Sequence, residues 1–177
     1  MLNAVLEKSQ VELRTELKPA DREALRALLL STDFFYDHEI AVALELLDDR
    51  LAKGDRSDYH FILADLAGRL AGYVCFGPIG IAKRRFDIYW MGVHRDSHRR
   101  GLGSQLLQAA EERMRAWGWD YVYVETSSRP LYEPTRQFYE KRGFRLVARV
   151  PFYYADDDDR LVYLKPLQNP AGPAGKK

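Results

Sequence analysis

The sequence has little with which to staple or anchor itself. A single cysteine, Cys75, stands among 177 residues, which excludes an intrachain disulfide and leaves no cysteine cluster for a metal. It sits in an apolar run, where a buried thiol is expected. No stretch approaches the ~20 consecutive apolar residues of a membrane-spanning helix. The start, Met1-Leu2-Asn3 followed by Glu7-Lys8, lacks the apolar core of a secretory signal, so a cytoplasmic location is expected. An excess of one charge is also missing. Lys and Arg number 27 against 26 Asp and Glu, a net +1. Such a balance suits neither a nucleic-acid-coating surface nor an anionic-membrane one, and no nucleic acid, membrane or metal partner is expected. No internal repeat is present. The stretch 166–177 carries Pro166, Pro170, Gly172, Pro173, Gly175 and two terminal lysines, and reads as a disordered tail.

What is present suffices for a core. Apolar residues make up 46% of the chain, and the length suits one domain, placed at 1–165. Val11, Leu13, Thr15 and Leu17 alternate with charged residues, as in a half-exposed strand. Lys18-Pro19-Ala20-Asp21 starts a helix that buries Leu25, Leu28 and Leu29. Asp37 is the expected cap of a second helix, with Ile40, Leu44, Leu47 and Leu51 on one stripe. Strands are predicted at Tyr59 to Ala64 and Leu70 to Phe76, joined through Asp65-Leu66-Ala67-Gly68-Arg69. Further strands are predicted at Phe86 to Val93, Tyr121 to Thr126, Phe144 to Tyr153 and Leu161 to Leu164. Asp156 to Asp159 reads as a solvated acidic turn. The order β-α-α-β-β-β-α-β-α-β-β predicts a mixed α/β domain with helices against one central sheet.

One stretch organises the rest. The strand ending in Met91-Gly92-Val93 runs through His98-Arg99-Arg100-Gly101-Leu102-Gly103-Ser104 into a helix striped by Leu102, Leu106, Leu107, Ala110, Met114 and Trp117. Strand, basic Gly-x-Gly turn and helix start form an anion site. Glycines allow close approach, the first-turn N–H groups lack helical partners, and the helix dipole favours negative charge. A dinucleotide fingerprint would need a glycine where Leu106 stands, and a P-loop would need Gly-Lys-Ser/Thr, which is absent. Coenzyme A is the remaining phosphate ligand, and it requires a second motif. Tyr132-Glu133-Pro134-Thr135-Arg136-Gln137-Phe138-Tyr139-Glu140-Lys141-Arg142-Gly143-Phe144 supplies one, on a short helix with Pro134 in its first turn and Gly143 after its end.

These two motifs resemble those of the GNAT superfamily of N-acetyltransferases, and the order of elements matches from about residue 11 to 165. His98 replaces the usual Gln or Arg, and Tyr132 and Thr135 replace the usual Asn and Ala. The resemblance implies a mixed, mostly antiparallel central sheet flanked by helices and splayed between the strands at 86–93 and 121–126. It implies acetyl-CoA as cosubstrate, held by Met91, Gly92, Val93, His98 to Ser104, Tyr132, Thr135, Phe138 and Tyr139. The N–H groups of Met91 and Val93 would polarise the acetyl carbonyl, and Tyr139 would protonate the departing thiolate. Of the adjacent pair, Phe138 is the better core candidate. Strand alternation puts Asp87, Tyr89, Met91 and Val93 on one face, which makes Asp87 a candidate base. Glu125 is its rival, and a water chain is a third option. The acceptor site is expected at Phe34, Phe35, Tyr36 and Tyr153, with Arg129 holding a substrate carboxylate. The implied reaction is acetyl transfer to a primary amine of a small, amino-acid-like molecule. The alternatives are a non-catalytic acyl-CoA-binding module and a peptide or protein N-acetyltransferase. The resemblance also admits a homodimer.

Overall fold

The computed structural model describes residues 11–167. Its elements are β1 (Val11–Arg14), α1 (Asp21–Ser31), α2 (Asp37–Lys53), β2 (His60–Leu66), β3 (Arg69–Pro78), β4 (Arg85–Val93), α3 (Leu102–Ala116), β5 (Tyr121–Ser127), α4 (Glu133–Glu140), β6 (Arg145–Ala155) and β7 (Asp158–Pro166). The strands form one seven-stranded sheet in the order β1-β2-β3-β4-β5-β7-β6, flanked by helices. This is the mixed α/β architecture expected from the sequence. No helix among the described residues is long and apolar enough to cross a membrane. The chain divides into two compact units: residues up to Cys75 with Met91–Leu107, and Phe76–Trp90 with residues from Gln108 onward.

In the first unit the helical stripes bury as their spacing requires. α1 buries Leu25, Leu28 and Leu29, and α2 buries Ile40, Ala43, Leu44 and Leu47. The cap of α2 differs from expectation. Asp37 is the first helical residue, and the Glu39 carboxylate accepts from the Tyr36 N–H at 2.8 Å. A carboxylate three residues in serves the orphan donor as well as a capping aspartate would. The β2–β3 hairpin turns on Ala67 and Gly68, with φ of 51° and 73°. Two left-handed residues in a row match the twist of the flanking strands. Arg14 of β1 ties that strand to its surroundings, bonding Asp21 at the start of α1 at 2.6 Å and Asp65 of β2 at 2.7 Å.

In the second unit, β4 and β5 pair in parallel from Arg85↔Tyr121 to Ile88↔Val124. Tyr89 to Val93 lie beyond that ladder. β5 pairs with β7 along its whole length, from Tyr121↔Pro166 to Ser127↔Arg160. Phe86 packs edge-on against Trp119, with ring centroids 4.3 Å apart, above a core that includes Ile88, Met114, Val122, Val124 and Tyr163. Lys165 of β7 bonds the buried Glu111 of α3 at 2.6 Å.

Three expectations about the end of the chain are corrected. The acidic run is not wholly a solvated turn: Asp158 and Asp159 are only 4% and 8% exposed and belong to β7. Their carboxylates are buried because they serve backbone donors, Ser128 N–H at 3.0 Å and Phe152 N–H at 2.9 Å. The strand expected from Phe144 to Tyr153 runs on to Ala155 and is interrupted at Phe152, Tyr153 and Tyr154. They form, with Pro151, an outward bulge inside β6: Val150 pairs with Arg160 and Ala155 with Asp158, so these residues face Asp159 alone. Pro166 is in β7, and Leu167 is buried, its N–H donating to the Asp120 carbonyl at 2.8 Å. The rest of the expected tail, 168–177, lies outside the described residues.

Candidate active site

The basic turn is built in the first unit. The His94 N–H donates to the Ala71 carbonyl of β3 at 2.8 Å. A Cβ on Gly72 of β3 would lie 3.3 Å from the Gly92 carbonyl oxygen. Gly92 and His94 therefore turn their backbone groups toward β3, and alternation turns those of Met91 and Val93 to the opposite edge. The Val93 carbonyl there is met by His98 Nε2 at 2.8 Å. His98 thus ties the turn back to its own strand, a task absent from its expected place in a phosphate loop. Arg99 and Gly101 follow with φ of 63° and 78°. Glycine adopts this region freely, but arginine does so uncommonly. The first bond of α3 runs from Gln105 N–H to the Gly101 carbonyl at 3.1 Å, so the amides of Leu102, Gly103 and Ser104 open the helix. Leu102 is buried and anchors that end. Arg99 and Arg100 are exposed. Backbone donors and two cationic side chains at a helix start fit an anionic diphosphate.

The second unit gathers the titratable candidates. Asp87 pairs in register with Tyr123. The β5–β7 register, Tyr123↔Leu164 through Ser127↔Arg160, puts Asp87, Tyr123, Glu125 and Arg160 on one face of the sheet. Phe86, Ile88, Val122 and Val124 are buried on the other. Arg160 Nη2 donates to Glu125 Oε1, and its guanidinium lies 4.8 Å from the Tyr153 ring centroid. Asp87 Oδ1 is buried and has no hydrogen-bond partner in the protein. Burial pushes its carboxyl up to about 6, and the Arg160 charge opposes that rise.

Tyr139 of α4 is 4% exposed and packs edge-on against Phe138 and Phe144, each with ring centroids at 5.3 Å. Burial, and then the Asp87 carboxylate, push its phenol above the ordinary value. The structure corrects the packing expected of this pair. Tyr139 is the core residue, whereas Phe138 is half-buried with the Arg142 guanidinium 3.7 Å above its ring.

The other candidates are distributed. Glu125 is engaged by Arg160. Arg129 is committed to the fold: its Nε pairs with Asp158 at 3.2 Å and its guanidinium lies over Tyr132. Tyr132 precedes α4, and Thr135 lies in its first turn. Phe34, Phe35 and Tyr36 lie between α1 and α2, and Tyr36 is exposed and stacked on His38. Tyr153 rides on the β6 bulge, half exposed. Arg84 and Arg85, which look like an anion patch in sequence, are both paired with Asp120. Arg160 is the residue that sequence reasoning missed. Its signal was parity: it lies two residues before Val162 and four before Leu164, on the face of β7 opposite Leu161 and Tyr163.

A half-buried carboxyl tuned near neutrality can accept a proton at working pH, and a buried phenol that stays protonated can give one. A family model for the acetyltransferase (GNAT) family matches residues 22–144. An N-alpha-acetyltransferase of Sulfolobus acidocaldarius is 30% identical over 117 residues, covering 60% of this chain and 68% of that protein. A crystal structure from Desulfovibrio desulfuricans, assigned to the acetyltransferases of the GNAT family, superposes with a TM-score of 0.88 at 34% identity, covering 90% of this chain and 100% of that one. An aminoglycoside 6'-N-acetyltransferase complexed with coenzyme A shares the fold, with a TM-score of 0.69 at 17% identity over 90% of this chain and 98% of that one.

Proposed function

This chain belongs to the acetyltransferase (GNAT) family, and we propose that Asp87 is its base, Tyr139 its acid, and the turn from His98 to Ser104 its coenzyme A seat. Acetyl-CoA, when bound, supplies an activated acetyl thioester. The residues at hand fit it: the amides of Leu102 to Ser104 and the Arg99 and Arg100 charges suit the diphosphate. The outward N–H groups of Met91 and Val93 suit the carbonyl oxygen. Tyr132, Thr135 and Phe138 supply the remaining contacts expected of α4.

The observation that carries this reading is Asp87 Oδ1, buried and without a hydrogen-bond partner in the protein, on the sheet face it shares with Glu125 and Arg160. While Asp87 is ionised, its charge holds the proton on the phenol. When Asp87 Oδ1 takes the amine proton, that charge disappears, and Tyr139 becomes the better acid as the thiolate departs.

The proposed acceptor is a primary amine of a small molecule, supported by the run of aromatic side chains at Phe34, Phe35 and Tyr36 in the first unit and, by itself, by Tyr153 in the second. The Arg129 carboxylate grip is set aside, because Asp158 already occupies that side chain. A peptide amino terminus is the second reading, favoured by the likeness to the Sulfolobus N-alpha-acetyltransferase. Thiol release from acetyl-CoA, followed across small amines and short peptides, separates the two. Release with neither class, beside tight coenzyme A binding, would instead support a binding module. The pH–rate profile tests the base. Activity should fall as pH drops through about 6, where Asp87 takes up its proton, and Asp87→Asn should remove that limb together with most of the turnover.

A further inference from the structure

We propose that Arg160 is the positioning residue of the base: bonded to Glu125 and covered by Tyr153, its guanidinium is the fixed counter-cation of the sheet face on which Asp87 stands. This inference rests on the reading of Asp87 as base. The groups facing Asp87 come from three elements: Tyr123 and Glu125 from β5, Arg160 from β7 and Tyr139 from α4. Arg160 is the one cation among them. Without it, a half-buried Asp87 would share its face with the Glu125 carboxylate and no cation, and burial and a like charge both favour the protonated form.

The guanidinium is held on two sides. Nη2 is spent on Glu125, and the ring of Tyr153 lies 4.8 Å away. Nε is buried and has no partner in the protein, so two fixed contacts set the position of the charge. Tyr153 is itself placed by the β6 bulge, which Asp159 pins by accepting from Phe152 N–H at 2.9 Å and from Arg149 Nε. Glu125 acts here as a counter-charge. It restrains Arg160 and moderates its pull on Asp87. The two neighbours therefore push Asp87 in opposite directions, and removing each should move it oppositely.

The test is the midpoint of the acid limb in the pH–rate profile, with the Asp87 carboxyl carbon followed by NMR as a readout independent of turnover. Arg160→Gln should raise both midpoints by about one pH unit or more, the scale of a neighbouring opposite charge. Glu125→Gln should lower both, and Arg160→Lys should restore most of the wild-type position. If Arg160→Gln does not fold, the Lys and Glu125→Gln arms still decide the sign. Unmoved midpoints in Arg160→Gln and Glu125→Gln, beside an inactive Asp87→Asn, would overturn the role of Arg160 and leave the base in place. A wild-type profile for Asp87→Asn would overturn the base itself. Loss of turnover at every pH in Glu125→Gln alone would hand the base to Glu125.

Discussion

The proposed anion seat and the proposed proton-handling cluster are made of different material. The seat is mostly backbone: amides at the start of α3, glycine and arginine in left-handed conformations, and a histidine that bonds its own strand. It is contiguous in sequence. The cluster is all side chain, and β4, β5, β7, α4 and the β6 bulge each contribute to it. Backbone geometry follows from local residue types, so a contiguous seat can be read directly. A side-chain cluster depends on register between distant strands, and its members acquire their chemistry only from one another. Asp87 is an ordinary carboxylate until folding buries it on the face it shares with Tyr123, Glu125 and Arg160.

The sharpest way to break this contrast is Gly103→Asp, which adds an anion where the first-turn amides and dipole favour an anionic ligand. Coenzyme A binding, measured by calorimetry, should be abolished while the circular dichroism spectrum is retained. Full affinity would mean that the seat lies elsewhere. Next comes Tyr139→Phe, which removes one hydroxyl and leaves the packing with Phe138 and Phe144. Turnover should fall by roughly 10²- to 10⁴-fold, the range for a positioned acid, with coenzyme A affinity nearly unchanged. An unchanged rate with an accepted amine would reduce Tyr139 to a core residue.

A third test sharpens the contrast by its sign. Burial raises the Asp87 carboxyl to about 6 in the folded protein, so the folded state binds the proton more tightly than the unfolded state does. Stability should therefore decline as pH rises from about 4 to 6. Above that window Asp87→Asn should be more stable than wild type, by up to about 3 kcal/mol at ~1.4 kcal/mol per unit. Urea unfolding at pH 5 and pH 8 measures this, and a variant destabilised at pH 8 would contradict it. The smallest effect belongs to the seat. Arg99→Ala and Arg100→Ala should each weaken coenzyme A by only a few-fold at physiological salt, because exposed charges are screened, and the loss should shrink further at high salt.

The fold was legible where apolar period and turn chemistry agreed. The stripes of α1, of α2 up to Leu47 and of α3 up to Met114, and the Ala67-Gly68 hairpin, follow from spacing and turn chemistry, whereas Leu51 is only half-buried and Trp117 lies exposed beyond the end of α3. The reading failed where a polar residue does a buried task. Asp158 and Asp159 look like a solvated run, yet they hold Ser127, Ser128 and Phe152 in place. Phe138 reads as the better core candidate of the pair because it carries no polar atom, but it is the Tyr139 ring that Phe144 packs against. Arg160 went unnoticed because an arginine at the start of a strand has no meaning until β5 and β6 flank it.

The eleven residues of β6 are all exposed, with Leu146, Val147, Val150 and Phe152 among them. An open apolar edge of this length invites another strand to add to it, and this one carries its own obstruction. Pro151 has no N–H to offer, and Phe152, at φ 57°, spends its N–H on Asp159. A strand arriving at that edge meets a break in the donor row at its middle. The bulge that presents Tyr153 to Arg160 therefore also interrupts the donor row of this edge, so the same four residues place a ring at the cluster and obstruct strand addition.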